Sequence, residues 1–124
     1  MAGGLALQPN VSLQSIAATA TSVRLHAAPP STYANAVSTS LGIRSFVAGS
    51  FFTLTGGQVL TVPQFSGQTL AGGTAAWFSI CNDTASALLA VGPLPSPVTL
   101  NATDNNWLLF ISATANLGAP TLTV

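Results

Sequence analysis

The apolar residues of the chain recur mostly at every second position, the spacing of a strand with one buried face. Val23 and Leu25 alternate with Arg24 and His26, and Val11, Leu13 and Ile16 read as an earlier alternating stretch. Residues 46–55 and 58–62 are two apolar runs separated by Gly56-Gly57, a pair able to take the positive φ of a tight hairpin turn. Pro63 confines the second run to an edge or an end, because proline has no N–H to give to a ladder. Residues 75–81 predict a buried strand, 82–86 a turn in which Asn82 and Asp83 bond their own backbone, and 87–91 the returning strand. Gly92 with Pro93, Pro95 and Pro97 predicts a loop over 92–97 that cannot continue a ladder. Short strands follow at 98–100, 107–112 and 121–124, separated by a polar turn at 101–106 and a break at 117–120.

The helical signal is weak. Only residues 33–41 read as a short helix, with Ser31 or Thr32 as its cap and Gly42 as its end. Short strands with turn chemistry between them predict an all-β fold: a single antiparallel β-sandwich or jelly-roll-like domain over residues 13–124. Residues 1–12 predict an extended N-terminal arm, ordered only when docked. No repeat of fixed period is present.

Composition sharpens this picture. Of 124 residues 48% are hydrophobic and only 3% charged, the four charges being Arg24, Arg44, Asp83 and Asp104. An ordinary soluble domain carries about 25% charged residues. Two arginines without lysine cannot build the basic surface that nucleic-acid binding requires. Charge-driven disorder and coiled coils are excluded on the same ground. A transmembrane helix needs roughly 18 consecutive apolar residues, and Gly, Gln, Ser, Thr and Pro interrupt the uncharged stretch 45–82 every few residues. No membrane partner is therefore expected. Residues 1–4 lack the basic start of a secretory signal, so the Asn-x-Ser/Thr sequons at Asn10, Asn82 and Asn101 carry little weight. A neutral surface on a small domain associates readily, which predicts contact with neighbouring subunits.

Candidate chemistry is sparse. A Ser–His–Asp set would have to use His26, the one histidine, and no Gly-x-Ser-x-Gly elbow accompanies it. The simpler expectation is a structural imidazole bonding a loop carbonyl. Asp83 and Asp104 are the only carboxylate side chains for glycoside hydrolysis, and both lie in turns where Asp bonds backbone. One His and one Cys do not make a zinc site, and residues 104–106 supply too few oxygens for calcium. Neither a metal nor another cofactor is expected. Cys81, the only cysteine, reads as a small buried hydrophobe. Trp77 and Trp107 could stack on a sugar, but their apolar flanks favour packing. Arg24 and Arg44 are expected to pair with Asp83, Asp104, a carbonyl or a neighbouring subunit.

Two stretches carry a resemblance. One is residues 23–30, Val-Arg-Leu-His-Ala-Ala-Pro-Pro, followed by Tyr33-Ala34-Asn35-Ala36. The other runs from Gly73-Thr74 through Asn82-Asp83-Thr84 and Leu88-Leu89 to Pro97-Val98, Trp107 and the terminal Leu122-Thr123-Val124. Their order resembles small β-rich structural proteins of tailed-bacteriophage virions, although the acidic and aromatic content usual between them is missing. The resemblance implies a non-enzymatic capsid decoration (cement) protein on the outer surface of the virion. With the neutral composition and the threefold positions that a head lattice offers, this predicts binding to the major capsid protein and to itself, as a homotrimer. A tail, collar or fibre component and a carbohydrate-binding module, with host-surface glycan as its partner, are the alternatives. Partner contacts are expected from Leu5, Leu7, Pro9 and Val11 in the arm and from Pro93, Leu94, Pro95 and Pro97.

Overall fold

A computed structural model describes residues 6–7, 11, 13–55, 59–62, 65–101, 107–109, 113–116 and 122–123. Two short helices, α1 (Leu13–Thr19) and α2 (Tyr33–Ser38), accompany eleven strands among these residues. In chain order the strands are β1 (Ala6–Leu7), β2 (Ser22–His26), β3 (Gly42–Ser45), β4 (Thr53–Thr55), β5 (Val59–Val62) and β6 (Phe65–Thr69). There follow β7 (Gly73–Asn82), β8 (Ala87–Leu100), β9 (Trp107–Leu109), β10 (Ala113–Asn116) and β11 (Leu122–Thr123). One open sheet has the order β1-β8-β7-β2-β3-β6-β9 and the other β11-β10-β5-β4. Every pairing is antiparallel, so the fold is mostly antiparallel β.

β2 lies at the centre of the larger sheet, and all five of its residues are buried. Its alternation divides the sheet into two faces. Val23 and Leu25 lie opposite Ile80 and Phe78 of β7, and all four join the main core with Ile16, Ala20, Phe52 and Leu94. Ser22, Arg24 and His26 occupy the other face, opposite Cys81, Ser79 and Trp77. That face is covered too: Ala36 of α2 packs there with Cys81, Leu88 and Val91, flanked by Tyr33 and Trp77. The polar positions of β2 are thus buried beneath α2 instead of facing water.

Several expectations need correction. Val11, Leu13 and Ile16 do not form a strand, because residues 13–19 are helical. Ile16 and Ala20, one helical turn apart, put their side chains into the core, and the Ala20 N–H donates to the Ile16 carbonyl. The second helix is shorter than expected: it is capped by the Thr32 hydroxyl, which accepts from the Asn35 N–H at 3.0 Å, and it ends at Thr39. Gly42 opens β3 and does not end the helix. The hairpin around residues 56–57 is present, with Thr55 opposite Val59, but its first strand begins at Thr53 and residues 56–58 lie outside the described ones. The chain before it turns at 47–50, where the Ser50 N–H donates to the Val47 carbonyl and Gly49 holds φ +82°, a left-handed value glycine takes without strain. Phe46, Phe51 and Phe52 gather around this turn, with Phe46 and Phe51 stacked at 4.1 Å.

Residues 92–97 are not a loop between strands. β8 runs through them, and the register shows how. Trp77 stands opposite Pro93 and Ala75 opposite Val98, so Ala76 alone faces residues 94–97. This large bulge accommodates Pro95 and Pro97 where the ladder is already interrupted. A second bulge sets Ile80 opposite Ala90 and Cys81 opposite Leu88. It turns both Leu89 and Ala90 into the main core while Leu88 and Val91 face α2. Among the described residues no helix is long and apolar enough to cross a membrane.

Candidate functional site

The chemistry-bearing side chains collect on the face of β2 under α2. Strand alternation places Arg24 and His26 there, the turn after β7 brings Asp83, α2 brings Tyr33, and the residues just past its end bring Thr39 and Ser40. Arg24 Nη2 donates to Asp83 Oδ1 at 3.0 Å and Nη1 to Ser40 Oγ at 3.2 Å. Tyr33 donates its hydroxyl to the same Asp83 oxygen at 2.8 Å, and Thr21 donates to Oδ2 at 3.1 Å. Arg24 is thus paired with one of the acceptors foreseen for it. Asp83 acts differently from the turn residue expected. Its carboxylate gathers side-chain donors, and the neighbouring Asn82 makes the backbone bond, accepting from the Ala85 N–H at 3.2 Å. Ser86 closes the turn with φ 51°. Burial would raise the Asp83 carboxyl, but the Ser22, Tyr33 and Arg24 side chains that solvate the carboxylate, together with the Arg24 charge, outweigh it and hold the pKa below its ordinary value. The Tyr33 hydroxyl is correspondingly pushed up by its bond to Asp83.

His26 has no accessible surface. Its Nε2 lies 2.7 Å from Ser79 Oγ and its Nδ1 3.1 Å from Thr39 Oγ1. Thr39 gives its own hydroxyl proton to the Asn35 carbonyl at 2.7 Å. It therefore accepts from His26 Nδ1–H, which leaves Nε2 to accept from Ser79. Its closest partners are these two hydroxyls, with the backbone of Thr39, in the segment after α2, beside them. Burial, opposed by a contact with the Thr39 backbone and reinforced by the Arg24 charge, lowers the His26 pKa to about 4. At neutral pH the imidazole is uncharged.

Ser79 and His26 have the contact of a nucleophile and its base, but the orienting position belongs to Thr39 and not to a carboxylate. Both residues are wholly enclosed, and no pocket opens among the described residues. In this arrangement the pair joins β2 to β7 and, through Thr39, to the segment that follows α2. Cys81 is buried beside Ser79, and burial raises its thiol pKa. No three His, Cys, Asp or Glu side chains gather among the described residues. Arg44 lies 6.0 Å from the centre of the Phe51 ring. Trp77 packs against the small cluster under α2, whereas Asp104 lies outside the described residues.

The eight expected contact residues divide unevenly. Leu5 and Pro9 lie outside the described residues. Leu7 belongs to β1, whose backbone pairs with β8 through Leu7–Ala90 and Ala6–Val91. Val11 packs on the main core, and Leu94 is buried in it at 8% exposure. Pro93 is half-buried, Pro95 lies within β8 and Pro97 is exposed. β1 and the proline segment thus share one edge of the larger sheet, which joins two stretches 80 residues apart in sequence. Thr21, Tyr33, Thr39, Ser40 and Ser79 were not legible as a cluster, since isolated Ser, Thr and Tyr residues announce no partner. No protein-family model, curated protein or solved structure matches the chain.

Proposed function

We propose that the protein is a non-enzymatic structural component of a virion, a decoration protein seated on the outer surface of the capsid. Its partners are the major capsid protein and two further copies of itself. The observation that carries this reading is the protein's near-absence of charge: four charged residues in all, with Arg24 and Asp83 paired beneath α2. A surface of this kind favours close contact with neighbouring subunits over solvation by counterions. The sequence resemblance and the shared edge of β1 and the proline segment support the same reading. The larger and smaller sheets are read as the two layers of a jelly-roll-like sandwich, because α1 touches β4 and β5 while its Ile16 lies in the core of the larger sheet.

The mechanism is mass action. A ligand that binds only the assembled shell stabilises it by RT ln(1 + [L]/Kd) per site. Co-sedimentation with purified heads tests this. The full chain should pellet with them saturably, and a chain lacking residues 1–12 should bind at least tenfold more weakly while keeping its far-ultraviolet circular dichroism. Equal binding by the shortened chain removes the arm from the interface, and no binding by the full chain removes the capsid as partner.

A further inference from the structure

The segment between β2 and β3 lies across the sheet and is held at both ends of α2 by titratable groups. At the start of α2, Tyr33 donates to Asp83 in the β7–β8 turn. At its end, Thr39 faces His26 and Ser40 accepts from Arg24. Between these ties a single buried side chain of the helix, Ala36, touches Cys81, Leu88 and Val91. Before the helix, Ala27, Ala28, Pro29, Ser31 and Thr32 are exposed and only Pro30 is buried. Its apolar anchors are Ala36, the buried Pro30 and, at the two ends, Tyr33 and Leu41; the remaining ties are polar, which makes it a local unit able to open without the sheet.

The ties respond to protons in one direction. A protonated His26 would still find two hydroxyl acceptors in Thr39 and Ser79. It would, however, be a second buried cation beside Arg24, whose own carboxylate partner is Asp83. The other titratable groups on this face, Tyr33 from α2 and Cys81 from β7, supply no compensating negative charge in acid. Opening restores water to the imidazolium.

We propose that residues 27–41 are an acid-released strap: proton uptake at His26 lifts α2 from the sheet and uncovers Trp77, Leu88 and Val91 while β2, β7 and β8 stay paired. This does not rest on the virion reading. With the imidazole at about 4 when covered and 6.5 when free, opening grows tenfold per pH unit across that window, roughly 300-fold in all.

The test is amide hydrogen exchange of the full chain from pH 7 to pH 4, corrected for intrinsic exchange rates. Peptides covering 33–41, which include the Leu41 amide bonded to the Leu25 carbonyl at 2.8 Å, should lose protection by up to about 300-fold while β7 peptides keep theirs. The His26→Gln variant keeps an acceptor and a donor without titrating in this range and should remove the pH dependence. Should that variant not fold, binding of an apolar dye to the wild-type chain supplies the second readout. It should rise between pH 6.5 and 4 with secondary structure unchanged. Protection in 33–41 that is independent of pH, or that falls together with β7, overturns the proposal.

Discussion

At the residue scale two of the protein's four charges meet in one largely covered pair, and the pair's energetics follow from which partner is removed. Arg24 and Asp83 have side chains 10% and 31% exposed. Deleting the carboxylate with Asp83→Ala would leave a nearly buried guanidinium without its counter-charge. The expected loss is about 3 kcal/mol, the lower end for a buried pair, read from urea unfolding at pH 7. Ser79→Ala leaves His26 Nε2 without its donor and should cost about 2 kcal/mol in the same measurement. Acid acts on both groups with the same sign. Because the folded His26 refuses a proton that the unfolded chain accepts, stability falls as pH drops from 6.5 towards 4. Because the Asp83 carboxyl is depressed, its contribution is present above its ordinary value of 3.8 and is lost as pH falls through its folded value. Unfolding free energies at pH 7, 5.5 and 4 should therefore decline steadily, and His26→Gln should flatten the decline.

At the element scale, what was legible depended on whether polarity meant solvent. The alternation of β2, the hairpin after β4 and the turn between β7 and β8 could be read because pattern and turn chemistry agree there. The helix α1 could not. Among its described side chains Ile16 is buried and Ala17 packs beside it, Ala20 following just past the end, and no position of the helix carries a charge to mark a wet face. The prolines of β8 read as a break because a regular ladder excludes them, and the bulge opposite Ala76 removes that objection. The polar cluster was half legible: Arg24 and Asp83 stood out by rarity, whereas the burial of His26 and Ser79 depends on α2 covering the sheet. Two substitutions weigh the helices separately. Ile16→Ala removes a fully buried side chain and should cost about 3 kcal/mol of global stability in urea unfolding. Thr32→Ala removes only the cap of α2 and should cost about 1 kcal/mol, seen chiefly as faster amide exchange in 33–41.

At the scale of the whole molecule, an open sheet with an almost uncharged surface favours assembly through neutral contacts. Sedimentation velocity at neutral pH should give a trimer whose stability changes little between 50 mM and 500 mM salt, since there are few charges to screen. A monomer at tens of micromolar would contradict self-association. The structural role itself is tested most directly by quantitative mass spectrometry of purified virions, giving copies of this chain relative to the major capsid protein. A decoration protein should give a ratio near one or a simple fraction of it, as a subunit repeated across the head lattice does. A few copies to a few dozen per particle would move the protein to the tail, collar or fibre, and its absence from virions would contradict the structural role altogether.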